Sequence, residues 1–371
     1  MAGKGRVRKM FPGGNTVKGP YFLFEDMIKP AVNRVLIIKG GPGTGKSTMM
    51  NAISRELTGR GYNAEHYHCS TDPDSLDGIV IPELGVAILD GTPPHPFEPV
   101  LPGVRDEIVD LGEYWDTSAI TPHKEEIERI NKRGNMLFKT AFSLLKQSKL
   151  AYDQWQWYVE ESMDRTAYNR LAKRLSEKVF EGYKTDYRAA SYARHLFASA
   201  LTPKGIIDFK DSLVERNMYI YSIKGQPGTG VKELIMRIAS DAEEMGLYTE
   251  QYHCPFEPEK LDMLIIPELG KAVMNTNPPE HRDPAIWPEA GMIEEIDLNR
   301  CIKRFCLDDY EEERRDAESR FRQLLNKGLE YISRARAEHG KKEKFYGKAM
   351  NYDLVEAKKE EILNRILESS Q

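Results

Sequence analysis

Residues Gly40 to Thr48 read GGPGTGKST, and this stretch determines how the rest of the sequence is interpreted. The apolar segment RVLIIKG leads into it and predicts a β-strand, while KSTMMNAISRELTGRG leads out of it and predicts a helix. A GxxxxGKS loop between a strand and a helix matches the Walker A pattern, in which backbone N–H groups surround phosphate. The predicted nucleotide-binding residues are Gly40, Gly41, Pro42, Gly43, Thr44, Gly45, Lys46, Ser47 and Thr48.

Two side chains of this loop have predicted chemical roles. We expect Lys46 to reach the β- and γ-phosphates and to stabilise charge in the transition state, and Ser47 to bind Mg²⁺. A carboxylate at the end of an apolar strand normally completes such a magnesium site, and the segment VAILD supplies Asp90. An aspartate that merely begins a turn, as in DGTPP, fits the same pattern, so the spacing alone leaves both roles of Asp90 open.

The motifs of the first part of the chain recur in the same order in the second part. The glycine loop returns as GQPGTGVKE at Gly225 to Glu233. The tripeptide YHC occurs at 67–69 and 252–254, and IPELG occurs at 81–85 and 266–270. Such self-similarity indicates that one structural unit is present twice.

Each copy alternates strands and helices, which is typical of α/β domains. We predict two tandem P-loop NTPase domains that pack as an intramolecular pseudodimer. Each has a parallel sheet with flanking helices, and each is followed by a long helical hairpin. The domains are assigned to residues 1–200, with the competent loop, and 201–371, with a degenerate loop. The hairpins are predicted from charged and apolar residues at helical spacing, from about Pro122 to Ala200 and from about Asp308 to Ser369.

Comparison of the two copies separates positions that serve the fold from positions that serve chemistry. The PGTG segment persists, whereas three positions with predicted chemistry change together: Lys46 becomes Val231, Ser47 becomes Lys232 and Asp90 becomes Asn275. This joint loss favours Asp90 as the magnesium carboxylate and predicts a second loop that does not transfer phosphate. The backbone of the second loop could still hold a nucleotide or another anion.

The acidic loop STDPDSLD follows the second predicted strand and contains one more catalytic candidate. Asp72 becomes Glu257 in the second copy, so a carboxylate is kept, and we assign Asp72 the role of positioning the attacking water. His68 and Cys69 recur unchanged in both YHC segments. A packing role at the end of a strand is therefore favoured over a catalytic dyad for this pair.

Four segments follow one another with the spacing of a known family: MFPGGNTVKG, IIKGGPGTGKST, YHCSTDPDSLDGIVIPELG and ILDGTPPH. In these segments the chain resembles an uncharacterised bacterial family of tandem P-loop ATPases, within the superfamily of P-loop containing nucleoside triphosphate hydrolases. The resemblance spans most of the chain and implies ATP binding and a double domain. The preference for ATP over GTP rests on this resemblance.

Composition restricts the class of partners. The net charge of -5 argues against nucleic acid as a partner, and 40% hydrophobic residues with no long apolar run predict a soluble protein without membrane contact. The basic N-terminal residues precede no apolar segment of the kind that marks a secretory signal. We therefore expect a cytoplasmic protein.

Three functions fit these features. The first is hydrolysis of ATP with Mg²⁺ at the first loop, which drives a change between the halves. The second is a kinase for a small molecule or nucleotide, with the helical region as a lid, for which Arg165, Arg170 and Arg174 are candidates. The third is a non-hydrolysing nucleotide sensor that binds a protein partner through its helical regions. The sequence favours hydrolysis.

Overall fold

Within the residues that the structure describes, this α/β protein has two six-stranded sheets, two two-stranded hairpins (β2-β3 and β10-β11) and flanking helices. The computed structural model describes residues 3–28, 32–92, 97–184, 191–277 and 290–368. The strands are β1 (Val7–Met10), β2 (Gly13–Thr16), β3 (Gly19–Phe22), β4 (Arg34–Lys39), β5 (Ala64–His68), β6 (Leu76–Ile81), β7 (Val86–Asp90), β8 (Asp106–Asp110), β9 (Ala193–Leu196), β10 (Ser199–Thr202), β11 (Gly205–Asp208), β12 (Tyr219–Lys224), β13 (Thr249–His253), β14 (Leu261–Ile266), β15 (Lys271–Asn275) and β16 (Met292–Asp297). The helices are α1 (Lys46–Gly59), α2 (Thr117–Ile120), α3 (Lys124–Glu161), α4 (Arg165–Val179), α5 (Lys210–Leu213), α6 (Val231–Glu244), α7 (Arg304–Asp308), α8 (Glu311–Lys348) and α9 (Tyr352–Glu368).

The two sheets have the same strand order. The first is β1-β5-β6-β7-β4-β8, and the second is β9-β13-β14-β15-β12-β16. Within each sheet one strand, β6 or β14, runs antiparallel to both neighbours, and the other five share one direction. The sheets are therefore mixed, and the prediction of purely parallel sheets is wrong. The reason is IPELG, a tight turn that joins β6 to β7 as neighbouring antiparallel strands.

Strands β9 and β10 lie close to the predicted boundary between the two domains. Strand β9 already pairs with β13 of the second sheet. Strand β10, which forms a hairpin with β11, spans Ser199–Thr202 and crosses the predicted boundary between residues 200 and 201. We refer below to residues 3–184 as the first half and to residues 191–368 as the second half.

Strand β4 shows how the sheets divide the hydrophobic core. Successive side chains of a strand point to opposite faces. Val35 and Ile37 lie in a central core between the sheets, which also contains Ile220 of β12. Leu36 and Ile38 face the other way and pack with α1. Helix α1 covers one face of β4 and the second sheet covers the other. Consecutive positions of β4 are therefore apolar, as expected for a strand that is buried on both faces.

The long helices α3 and α8 pack against each other along their length. Arg133 near the start of α3 contacts Glu338 near the end of α8 at 3.0 Å, and Arg320 near the start of α8 donates to Gln154 near the end of α3 at 2.7 Å. The two helices are therefore antiparallel, and one comes from each half. Their buried residues, including Leu145 and Leu325, belong to one shared core.

The helices that follow cross to the opposite half. Ala172, Leu175 and Val179 of α4 belong to the hydrophobic core of the second sheet, and Ile362 and Ile366 of α9 belong to the core of α1 in the first half. The predicted hairpin within each half is therefore wrong in its pairing. The apolar faces of α4 and α9 pack against the opposite half. The helical period of the sequence shows that such faces exist but not what they pack against.

A network of buried charges joins the two halves. Arg194 of β9 donates to both carboxylate oxygens of Glu65 on β5, at 2.9 and 2.6 Å. At the equivalent positions, Arg8 of β1 donates to both carboxylate oxygens of Glu250 on β13. Arg8 also contacts Glu65 at 3.1 Å, so the two pairs form one network. Burial would raise the pKa of Glu65, but Arg194 and Arg8 lower it to about 2.

The backbone links the sheets at the same place. Phe11 donates its N–H to the carbonyl of Phe197 at 2.8 Å, and Phe197 donates back to Phe11 at 3.0 Å. Both residues directly follow the equivalent strands β1 and β9, and both side chains are fully buried. The charge network and this reciprocal bridge fix the relative position of the halves.

We predict that Arg194→Ala lowers the free energy of unfolding by about 3–5 kcal/mol, because it leaves Glu65 buried without its main partner. Urea unfolding followed by circular dichroism measures this change. The control is Arg60→Ala, which removes an exposed ion pair with Glu56 and should cost less than about 1 kcal/mol. Equal effects of the two variants would contradict the importance of the network.

We predict a specific pH dependence for Glu65→Gln. The pKa of Glu65 in the folded protein, about 2, lies below the unfolded value of 4.5. The unfolded state therefore binds more protons within this window, and the unfolding free energy of the wild type falls as the pH is lowered. The variant lacks this ionisation, so the stability difference is largest above pH 4.5 and shrinks towards pH 2. A difference that stays constant through urea titrations across this window would disprove the assignment.

Candidate functional site

The first glycine loop, Gly40–Gly45, lies between the carboxyl end of β4 and the start of α1. Lys46 is the first residue of α1 and is only 9% exposed. Its ammonium group donates to the carbonyl oxygens of the first two loop glycines at 2.8 and 2.9 Å. Asp90 ends β7, which pairs directly with β4, and its Oδ2 lies 3.7 Å from the Lys46 ammonium. The structure thus brings Lys46 and Asp90 together.

Burial and nearby carboxylates have opposite effects on the pKa of Lys46. Burial lowers the pKa of Lys46, while Asp90, Asp77 and Glu343 oppose that change. A buried charge raises the free energy of the protein unless it is paired with an opposite charge. An additional anion next to the poorly hydrated ammonium of Lys46 would therefore stabilise its charged form. This position of the loop is therefore suited to receiving a phosphate group.

Ser47 faces the start of β6. Its hydroxyl accepts the backbone N–H of Leu76 at 3.0 Å, and Asn51 donates to its carbonyl at 2.9 Å. Within the loop Thr44 is buried and donates to the carbonyl of Gly41 at 3.1 Å, which holds the turn, whereas Thr48 is exposed. Pro42 is partly buried in the turn.

The donor set suits Mg²⁺ held together with phosphate. In the described part of the chain, no group of three or more His, Cys, Asp or Glu side chains is arranged for a metal. Mg²⁺ commonly needs fewer protein ligands, because it keeps several waters and shares the oxygens of bound phosphates. A serine hydroxyl at position 47 and a carboxylate at position 90, beside the glycine loop, are ligand types that fit that requirement.

Asp72 lies at the edge of this site and contacts the second half. It accepts hydrogen bonds from the hydroxyl of Ser75 at 2.9 Å and from the guanidinium of Arg336 at 2.6 Å. Arg336 belongs to α8, so a helix of the second half reaches the site of the first. Sequence reasoning missed Arg336, because nothing in its local pattern connects it with Asp72, which lies 264 positions away in the chain.

The junction of α8 and α9 lies directly on the first glycine loop. The hydroxyl of Tyr352 donates to the carbonyl of Gly43 at 2.8 Å. Gly43 has a φ of +74°, and a Cβ on it would lie 2.8 Å from the backbone oxygen of Glu343. Both its conformation and this close approach therefore require glycine.

The second glycine loop, Gly225–Gly230, has the equivalent cover from the first half. The hydroxyl of Tyr168 on α4 donates to the carbonyl of Gly230 at 3.1 Å. A Cβ on Gly228 would lie 2.5 Å from the backbone oxygen of Gln156 on α3. Each loop is therefore completed by the long helices of the opposite half.

Backbone N–H groups of the second loop form hydrogen bonds with nearby asparagine side chains. The N–H groups of Gly225 and Gln226 donate to the side chains of Asn277 and Asn299 at 2.6 and 3.0 Å. The two asparagine side chains thus hold the first residues of the second loop in place.

Lys232 occupies the position that corresponds to Ser47. Its ammonium donates to Glu257 at 2.9 Å and lies 2.9 Å from the sulfur of Cys254. Burial would raise the pKa of Glu257, but Lys232 and Lys260 lower it to about 2. A permanent ammonium ion pair thus occupies the second site at the place where the first has a candidate metal ligand.

Other sequence candidates do not join the first loop. His68 packs against the ring of Phe209 with centroids 4.7 Å apart, and burial lowers its pKa. Burial raises the pKa of Cys69 well above its ordinary value, which keeps the thiol neutral and unreactive. Arg170 and Arg174 lie exposed on α4, the helix that packs on the second half. The proposed lid arginines therefore do not reach the first site.

Comparison of the chain with protein-family models, with curated proteins and with solved structures gave no match. Each helix within the described residues is too short or too polar to span a bilayer. The geometry of the first loop therefore carries the functional argument.

Proposed function

We propose that this protein is a tandem P-loop NTPase that hydrolyses ATP with Mg²⁺ at the first glycine loop. The observation that carries the proposal is the position of Lys46. It extends from the start of α1, its ammonium is held by two loop carbonyls, and Asp90 lies beside it at 3.7 Å. These are the groups that phosphoryl transfer requires in P-loop enzymes.

Each residue of the first site has a defined task. The loop amides and the positive end of α1 bind the phosphates. The ammonium group of Lys46 leaves the loop carbonyls and binds the β- and γ-phosphates instead. Ser47 and Asp90 hold Mg²⁺, which would neutralise phosphate oxygens when bound. Asp72 positions the attacking water. The preference for ATP follows the sequence resemblance.

The second loop is proposed to be structural. Val231 cannot supply a phosphate-binding charge, Asn275 cannot supply a metal carboxylate, and the ammonium of Lys232 is bound to Glu257. With two amides already used by asparagine side chains, this loop keeps its shape without a ligand.

A nucleotide sensor is the second candidate function, and the cover of the first loop favours it. Tyr352 and Arg336 contact the first site from the second half, so a ligand in that site would lie next to residues of α8 and α9. The pair of long helices could then present the state of the site to a protein partner. Tight binding with very slow turnover would select this function over hydrolysis.

We predict that Lys46→Ala abolishes measurable turnover, and that Asp90→Asn lowers turnover at least about a hundredfold while weakening nucleotide binding much less. Phosphate release measured with ATP and Mg²⁺ tests both variants. Lys124→Ala, at an exposed position of α3, is the matched control and should retain wild-type turnover. Wild-type activity in either site variant would remove that residue from the site.

We predict that one chain binds one ATP. Isothermal titration of the wild type should give a single site, and Lys46→Ala should weaken it. Lys232→Ala should leave the stoichiometry at one, because that lysine belongs to the self-satisfied second loop. Two equal tight sites per chain would show that the second loop also binds nucleotide.

A further inference from the structure

Arg336 is a cation that the second half places beside the first site. One nitrogen of its guanidinium lies 2.6 Å from Asp72, and another lies 3.3 Å from Glu343 on the same helix. Its side chain is 23% exposed, so it is partly open to solvent. A planar guanidinium held by two carboxylates keeps its orientation at the edge of the site.

The partners of Arg336 connect it with the phosphate position. The backbone of Glu343 touches Gly43 of the loop, and the charge of Glu343 acts on the pKa of Lys46. Asp72 follows β5, on the side of the sheet where the carboxyl end of β4 carries the loop. Arg336 therefore links the acidic loop to Glu343, the residue whose backbone lies against the glycine loop.

The residue of α3 that corresponds to Arg336 is Lys149, and its surroundings differ from those of Arg336. Lys149 of α3 lies 3.4 Å from Glu257, which corresponds to Asp72. Glu257 is 1% exposed and is also bound by Lys232 and Lys260, so this cation belongs to a closed cluster. Asp72 is 25% exposed and has a smaller set of partners, namely Arg336 and Ser75. The first site thus differs in its carboxylate, which is open to solvent, and in its helix cation, which is of the residue type suited to bidentate contacts with phosphate.

We propose that Arg336 is a catalytic residue of the first site, supplied across the halves, which moves from Asp72 to the γ-phosphate when ATP binds. This inference rests on the proposed function. A terminal phosphate carries more negative charge than a carboxylate and accepts two parallel N–H bonds, so it competes well for the guanidinium. Asp72 is released by the same movement.

The released carboxylate then completes the reaction. Asp72 accepts a hydrogen bond from a water molecule, whose oxygen forms a bond to the γ-phosphorus. The bond between that phosphorus and the bridging oxygen to the β-phosphate breaks, and the electron pair leaves with ADP. The water proton passes to Asp72 and then to solvent. Arg336 and Lys46 neutralise the charge that develops on the phosphate oxygens.

Substitution of Arg336 tests this assignment through the separate effects on kcat and KM. Removal of a group that acts mainly in the transition state lowers kcat, so we expect Arg336→Ala to lower kcat about a hundredfold or more and to change KM only a few-fold. Arg336→Lys keeps the ion pair with Asp72 but lacks the planar fork, so it should fold like the wild type and recover a small part of kcat. Arg336→Ala should also reduce the preference for ATP over ADP in titrations.

Two control variants separate catalysis from structure. Arg334→Ala alters an exposed arginine two positions away on α8, and Lys149→Ala breaks the equivalent bridge to Glu257. Both should retain wild-type kcat. The inference is overturned if Arg336→Ala and Arg336→Lys retain wild-type kcat, or if Lys149→Ala loses kcat to the same degree. A wild-type chain that binds ATP without hydrolysing it would instead contradict the proposed function, and this role with it.

Discussion

Four charges in the interior join the two halves, three of them buried and that of Arg8 partly buried. Each arginine, Arg8 or Arg194, binds a glutamate of the opposite half with two hydrogen bonds. A buried carboxylate without its arginine is strongly unfavourable, so the two halves depend on each other for these pairs. The reciprocal bridge between Phe11 and Phe197 fixes the same contact through the backbone.

The exchange of long helices follows from this arrangement. With the halves fixed, α3 and α8 lie antiparallel, and their ends reach the glycine loop of the opposite half. The first loop therefore depends on the second half for Tyr352 and Arg336. Under the proposed function, the second copy serves as the partner that completes the first site, which would account for a second loop with the same backbone and different side chains.

The sequence predicts local structure well and distant contacts poorly. The glycine loop, its strand and its helix could be predicted, because a strand period, a helix start and a glycine pattern are local signals. The comparison of copies also singled out Asp90, which the structure places beside Lys46. The antiparallel strand β6, the helix exchange and Arg336 could not be predicted in this way. Each of these features depends on which distant surface supplies a matching apolar face or charge. Glu65, for example, has no recognisable role in the sequence, because its partner Arg194 is 129 positions away.

The most direct test of cross-half completion is hydrogen exchange of the intact chain, with and without ATP and Mg²⁺. The account predicts that nucleotide protects the backbone amides of residues 40–48 in the first half and of residues 336–355 in the second half. It also predicts that exchange at residues 225–233 stays unchanged. Protection confined to the first half would contradict completion of the site by α8 and α9. Equal protection of both glycine loops would contradict the structural role of the second copy.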